Sequence, residues 1–223
     1  MNSISLLIIE AILCFITETF LYRHYKTTGL YTYSIVAIIL SSLMSLKTIT
    51  LYDFDVNLGI IPFISIFTSS NILIQKKGPD STKNLILTLI ATSIISFTII
   101  YLVKLMIPSN INLFTNASYD NIFNDSLRIY FATFVTILYS LLLNSKLYYY
   151  LKKMKNNILI SNLFSVIIIQ FIASILFGLI AYVFIKDIID IIKIIMIRYL
   201  ISLIVGIIGT FPIYLTKKVV DNE

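Results

Sequence analysis

Residues 158–185 read ILISNLFSVIIIQFIASILFGLIAYVFI, an apolar stretch without a single Lys, Arg, Asp or Glu. About 20 apolar residues are enough for a helix to cross a hydrocarbon core of roughly 30 Å. Further stretches of similar apolar character lie at residues 4–22, 30–46, 56–74, 85–107, 127–143 and 191–215. We therefore predict an all-α integral membrane protein with seven spans, built as a single membrane domain over residues 1–223.

The loops between these stretches alternate in charge. The first, third and fifth loops and the C-terminal tail are basic, whereas the second and fourth are acidic. The positive-inside rule therefore predicts a multi-pass protein of the cell membrane with its N-terminus outside and its C-terminus in the cytoplasm. Because these loops and anionic lipid account for the net charge of +6, we expect the lipid bilayer as a partner and no nucleic acid. The residues that set the pattern are Arg23, Lys26, Asp53, Asp55, Lys76, Lys77, Asp120, Asp125, Lys152, Lys153, Lys217 and Lys218.

The residue types that most enzyme sites need are scarce. His24 is the only histidine and Cys14 the only cysteine, so the chain has no zinc-binding cluster and no Ser–His or Cys–His pair inside the membrane. The phosphate-binding motif G-x-x-x-x-G-K-[ST] does not occur. We therefore predict that the protein is not an enzyme and expect no catalytic residue, no metal and no cofactor.

Two sequence features predict irregular backbone. Pro62 and Pro212 lie inside predicted spans, where each removes a backbone donor and is expected to kink its helix. Residues 108–126 are rich in Asn, Ser and Asp, and they form the longest stretch predicted to be irregular.

Several polar residues lie within the predicted spans. Asn71 and Gln75 share a helix face with Thr68, and Gln170 and Ser174 are one turn apart. Amides both donate and accept hydrogen bonds, which suits a neutral heterocyclic ligand. The alternative is that these side chains only hydrogen-bond neighbouring helices and hold the bundle together.

Charged residues inside the spans are fewer. Glu10 lies midway along the first predicted helix, and Arg198 lies about two turns into the seventh. A charge at that depth is costly unless it is paired, so we expect Arg198 to pair with Glu10 or to contact a ligand. Arg128 opens the fifth predicted helix on the outer side.

The stretch SNILIQKKG at residues 70–78 resembles the signature region of the vitamin uptake transporter family, also described as queuosine precursor transporters. The resemblance implies a six-helix core at residues 30–215, like the substrate-binding subunits of energy-coupling-factor importers. It also implies one extra N-terminal helix at residues 4–22, and import of 7-deazaguanine bases. It continues at residues 46–59, 127–129, 142–152, 162–174 and 209–215.

The resemblance also implies a ligand site in which acids of the family are replaced by neutral residues. Asn71, Gln75 and Asn144 stand where the family has acids, and so do Ala173 and Gly209. An amide keeps one acceptor but loses the charge, which indicates a less cationic ligand. The predicted ligand-binding residues are Asn71, Gln75, Arg128, Asn162, Ser165 and Gln170.

The expected function is import of a queuosine precursor or a related purine-like base by a secondary transporter. One alternative is a membrane assembly or regulatory protein that has lost the ligand site. Another is a substrate-binding subunit that needs a separate ATPase module. Such subunits dock through small-residue pairs of the Ala-x-x-x-Ala type, and Ala11 is the only alanine of the first span, which favours an independent transporter.

Overall fold

The computed structural model describes residues 3–51, 54–106, 113–155 and 157–217. Asp53 and Lys218 lie outside these described residues, as do the side chains of Asp120, Asp125 and Lys217. Over these residues the chain is almost wholly helical, with one short β-hairpin. In chain order the elements are α1 (Ser3–Met44), β1 (Thr48–Leu51), β2 (Phe54–Asn57), α2 (Ile60–Lys77), α3 (Ser81–Lys104), α4 (Leu113–Lys155), α5 (Ile158–Tyr182), α6 (Ile188–Ile208) and α7 (Thr210–Lys217).

Helix α1 reverses direction at Lys26, whose backbone has a positive φ of 53°. On the arm before the turn, Glu18 contacts Ser69 of α2. On the arm after it, Ser41 contacts Gly59, at the start of α2. Further contacts of both arms, close to the turn, lie at the C-terminal end of α2. The first arm therefore runs parallel to α2 and the second runs antiparallel to it, so the two arms form a helical hairpin.

The hairpin turn is tight because it contains a glycine. A Cβ atom on Gly29 would collide with the backbone carbonyl of Leu21, on the opposite arm. Only a residue without a side chain lets the two backbones approach this closely. The predicted separation of residues 4–22 from residues 30–46 by a short loop thus matches the observed turn.

The link between α1 and α2 is an antiparallel hairpin of β1 and β2, in which Thr48 pairs with Asn57 and Leu51 with Phe54. The sequence prediction placed residues 56–59 in a helix, and this was wrong. The Asn57 side chain donates to the Ser45 carbonyl and accepts from the Gly59 backbone N–H. These bonds fix the end of β2 and make helix α2 begin only at Ile60.

Helix α2 forms the centre of the bundle. Every residue from Ile60 to Ile74 is buried, and α1, α3, α4, α6 and α7 all contact this helix. A helix buried on all sides has no lipid-facing or water-facing stripe, so its polar side chains must find partners inside the bundle. This position makes α2 the element around which a polar site is built.

Helix α4 is much longer than the predicted span of residues 127–143. It runs from Leu113 to Lys155, so residues 113–126 are helical rather than irregular as the composition suggested. The stretch is polar but contains no glycine or proline, and nothing in it therefore interrupts helical hydrogen bonding.

The predicted last span is divided at Gly209 into α6 and α7. The ring of Pro212 clashes with the carbonyl four residues earlier in a continuous helix, which explains why α6 ends at Ile208. Pro62, in contrast, lies in the first turn of α2, where the missing N–H has no helical partner. The kink expected at Pro62 therefore has no basis in the observed α2.

The apolar surface of the bundle fits a lipid environment. Leu13, Ile95 and Met196 are each more than half exposed, and many other large apolar side chains of the outer helices are exposed as well. In the described part of the chain, five helical segments are long and apolar enough to cross a membrane. One is the hairpin helix α1, and the buried α2 is not among them, so the count of seven spans stays a prediction. These segments are Ser3–Met44, Ser81–Lys104, Leu127–Lys155, Ile158–Tyr182 and Ile188–Thr216.

Candidate ligand site

Asn71 of α2 lies at the centre of a chain of side-chain hydrogen bonds. Its amide nitrogen donates to Oδ1 of Asn162 in α5, at 2.8 Å. Its own Oδ1 accepts from the amide nitrogen of Asn144 in α4, at 2.7 Å. One side chain of the central helix therefore links two neighbouring helices.

The chain of bonds extends at both ends. Ser165 of α5 donates to Oδ1 of Asn144, at 2.5 Å. At the other end Asn162 donates to the hydroxyl of Thr210 in α7, at 2.7 Å. We call these five residues (Asn71, Asn144, Asn162, Ser165 and Thr210) the asparagine network. It connects α2, α4, α5 and α7, and every member is buried.

The asparagine network retains unused hydrogen-bonding capacity. Each of the three amide oxygens accepts one bond from another member, and each oxygen has two lone pairs. Asn71 and Asn144 each have a second amide N–H that bonds to no other side chain among the described residues. A planar heterocycle presents alternating donors and acceptors along its edge, which is the pattern that such amides can match.

Sequence reasoning found three members of this network. The structure brings together the predicted residues Asn71, Asn162 and Ser165. Asn144 and Thr210 were not among the predicted ligand residues. The available signal was their place in the stretches 142–152 and 209–215, which carry the family resemblance.

Gln75 lies one turn beyond Asn71 on α2 and is only half-buried. Its side-chain oxygen is enclosed but has no hydrogen-bond partner. Its backbone carbonyl accepts from Nζ of Lys152, at 3.2 Å. Gln75 therefore lies beside the asparagine network without joining it.

Gln170 belongs to a second polar stripe, on the α5 face directed at α6. Gln170, Ser174 and Phe177 are spaced i, i+4 and i+7, so they share one side of α5. Gln170 and Ser174 are both buried, and within the described part of the chain neither Oε1 of Gln170 nor Oγ of Ser174 has a hydrogen-bond partner. Phe177 contacts Arg198 of α6, which shows where this stripe points.

Arg198 is 4% exposed and is enclosed by aromatic rings rather than by acids. Its guanidinium carbon lies 3.9 Å from the ring centroid of Phe177 and 4.9 Å from that of Phe63. Each such contact contributes about 0.5–2 kcal/mol. Removing an ion from water costs several kcal/mol even after the protein relaxes. The two rings therefore offset only part of the cost.

The structure does not contain the ion pair between Glu10 and Arg198, which was one of the two alternatives expected for Arg198. Among the described residues no carboxylate lies within 4 Å of Arg198, and one guanidinium nitrogen of Arg198 is buried without a partner. Glu10 also has an enclosed oxygen without a partner. Their depths along the sequence are compatible, but the packing turns Arg198 towards Phe63 and Phe177 instead.

Glu18 is the acid that contacts the central helix. It is fully buried, and its Oε1 accepts from the Ser69 hydroxyl at 2.7 Å. Ser69 and Asn71 are close in sequence on α2, but their bonds go to opposite partners: Ser69 bonds to α1, whereas Asn71 bonds to α4 and α5. Glu18 thus anchors the N-terminal hairpin to α2.

Arg128 is separated from the other predicted ligand residues. Its Nε donates to the Ile180 carbonyl at 2.9 Å, and Nη2 donates to the Val183 carbonyl. It lies 16 residues before Asn144 on the same helix, which corresponds to about 24 Å along the axis. In this structure Arg128 ties α4 to the end of α5 rather than lining the asparagine network.

These features define a multi-pass helical membrane protein with a buried polar site at its centre. The family model described as "Putative vitamin uptake transporter" matches residues 57–216. This match covers more than half of the 223 residues, so the chain belongs to that family of transporters. No curated protein and no solved structure matches the chain. The matched region contains every member of the asparagine network and excludes α1, so the division into an extra helix at residues 4–22 and a core at residues 30–215 stays a prediction.

Proposed function

We propose that this protein imports a small planar heterocycle across the cell membrane, and that a queuosine precursor base is the first compound to test. The observation that carries the proposal is the buried bridge from Asn144 through Asn71 to Asn162, inside the region matched by a transporter family. The proposed orientation has the N-terminus outside and the C-terminus in the cytoplasm, in line with the basic loops.

The proposed binding step uses the asparagine network as an exchangeable set of hydrogen bonds. The edge of a heterocycle replaces the bond between Asn144 and Asn71, donating to one amide oxygen and accepting from the other amide nitrogen. The exchange leaves few buried polar atoms unpaired, which keeps its cost low. Because the network joins α2, α4, α5 and α7, opening one bond also loosens the packing between these helices.

One observation favours a second candidate function. Every member of the asparagine network has a hydrogen-bond partner within the network without any ligand, as expected for side chains that only hold helices together. A membrane assembly or regulatory protein of this family without transport activity would keep such a network. A third form of the proposal, in which the chain delivers its ligand to an ATPase module, predicts that such a module co-purifies with it.

The decisive experiment measures uptake of a labelled 7-deazaguanine base in cells that lack their own importer, with modified tRNA as the readout. We expect uptake with the wild-type chain and a loss of at least tenfold with Asn71→Leu and with Gln170→Leu. Ile168→Leu is the matched control, because Ile168 lies on the same helix as Gln170 but on its exposed side.

The results separate the candidate functions. No uptake by the wild-type chain, together with no binding of the base to purified protein, would exclude the proposed import of this base and favour the non-transporting alternative. Normal uptake in both amide variants would show that transport does not depend on these side chains.

A further inference from the structure

Arg198 is a buried cation that forms no ion pair with any of the described acids. It lies at the middle of α6, about 15 Å from either end, and its side chain is almost completely buried. One nitrogen of its guanidinium has no hydrogen-bond partner in the described ranges of the chain. An unpaired charge in this position is costly, and charges inside membrane bundles usually mark the path of a ligand or an ion.

The described acids do not supply the missing negative charge. Three of the exposed acids form their own ion pairs with lysines, Glu18 bonds to Ser69, and no ion pair joins Arg198 to Glu10 or Asp187. The asparagine network contains amides and hydroxyls only, so it neither repels an anion nor neutralises Arg198. The three ion pairs are Asp55 with Lys186, Asp80 with Lys83, and Asp190 with Lys193.

The surroundings of Arg198 fit a planar acid. Phe177 and Phe63 present their rings to the guanidinium, and such rings also stack on a flat heterocycle. Gln170 and Ser174 lie on the same α5 stripe as Phe177, and both have buried polar atoms without partners. A guanidinium offers a two-pronged donor that matches a carboxylate. Since Arg198 is the only cation in this group, a singly charged carboxylate balances it better than a doubly charged phosphate.

An open cavity at the end of the bundle that carries the β-hairpin comes within one helical turn of Arg198 along α6. This cavity of about 140 Å³ lies between β2 and the beginning of α6. Two lysines and two aspartates line it as two ion pairs, so its charges balance and it does not repel an anion. Ile194 also lines it, and Arg198 is one helical turn further along the same helix. The lining residues are Phe54, Asp55, Lys186, Asp190, Lys193 and Ile194.

We propose that Arg198 binds a carboxylate group of the transported molecule, so that the substrate is a heterocyclic monocarboxylate rather than an uncharged base. This inference rests on the proposed transport function and specifies its substrate class. Phe63 and Asn71 are eight residues apart on α2, or about 12 Å along the axis. A fused ring with an acid substituent is shorter than this distance, and the side chains of Arg198 and Asn71 cover the rest. Its acid then lies at Arg198 and its polar edge at Asn71.

The test compares two probes of nearly equal shape on the purified full-length protein in detergent. One probe is a 7-deazaguanine that carries a carboxylate on its five-membered ring, and the other carries the carboxamide at the same position. We expect the wild-type protein to bind the carboxylate at least tenfold more tightly than the carboxamide. This comparison needs no variant, so it holds even if a substitution prevents folding.

Two variants then assign the preference to Arg198. Arg198→Gln is expected to bind both probes equally. Arg198→Lys keeps the charge but loses the two-pronged donor, so it is expected to bind the carboxylate several-fold more weakly than the wild type does. Equal binding of both probes to the wild type overturns the carboxylate inference and leaves the transport proposal standing. A carboxylate preference that survives in Arg198→Gln also overturns it. If neither probe binds, the result overturns the carboxylate inference and also the proposed binding of deazaguanine-type compounds.

Discussion

Replacing Asn71 with leucine removes the central member of the asparagine network and keeps the branching and the number of non-hydrogen atoms of the side chain. Two hydrogen bonds are lost, one to Asn162 at 2.8 Å and one from Asn144 at 2.7 Å. Hydrogen bonds between membrane helices contribute on average about 0.6 kcal/mol each, with a maximum of about 1.7 kcal/mol. We therefore expect Asn71→Leu to lower the free energy of unfolding by about 1–3 kcal/mol.

The assay is equilibrium unfolding in mixed micelles, with denaturing detergent as the variable and helix content as the signal. A double-mutant cycle with Asn144→Leu isolates the bond between the two asparagines. The double variant loses that bond once, whereas the two single variants each lose it. Its destabilisation should therefore fall short of the sum of the single effects by about 0.6–1.7 kcal/mol.

Asn157→Ala provides the matched control for this cycle. Asn157 is the N-cap of α5, where its side chain accepts from the backbone N–H groups of Leu159 and Ile160, and it takes no part in the asparagine network. Its effect should add to that of Asn71→Leu without coupling. Unfolding of Asn71→Leu at the wild-type detergent fraction, or additivity of Asn71→Leu with Asn144→Leu, would refute the view that this network holds the helices together.

Substitutions at three further positions test other contacts of the fold. Arg128→Gln should lower the free energy of unfolding by about 1.5–3 kcal/mol, because a charged donor to two carbonyls at the end of α5 is lost, and thermal unfolding in detergent measures this. Glu18→Gln should change the melting temperature little, because the amide oxygen still accepts from Ser69. Glu18→Leu should lower the melting temperature, because it leaves the buried Ser69 hydroxyl unpaired. Equal melting temperatures of the two variants would contradict this reasoning. Gly59→Ala should abolish the monodisperse peak in size-exclusion chromatography, because the added methyl group meets the Ser41 carbonyl, and a normal peak would show that α1 and α2 can separate locally.

Local sequence properties explain why the membrane helices could be predicted. The apolar stretch at residues 158–185 needs only its own composition to be identified as a membrane helix, and α5 occupies most of it. Helix ends were less predictable, as α4 shows, since a polar segment without glycine or proline can continue a helix beyond its apolar part. The hairpin of β1 and β2 depended on bonds from Asn57 to distant backbone groups, which no local pattern reveals.

The candidate site was also only partly predictable from the sequence. Asn71, Asn162 and Ser165 could be found from the sequence, because polar residues in an apolar helix are conspicuous and must face the bundle interior. The partners of Asn71 were not predictable, since Asn144 lies 73 residues away and Asn162 lies 91 residues away.

By itself the sequence determined that this protein is a bundle of membrane helices and that amides lie at its centre. The tertiary structure alone decided that these amides bond to one another, that Arg128 is tied to backbone carbonyls, and that Arg198 faces Phe177 and not Glu10. The physical reason is that helix formation and burial depend on residues a few positions apart. Which polar faces meet depends on how whole helices rotate and pack.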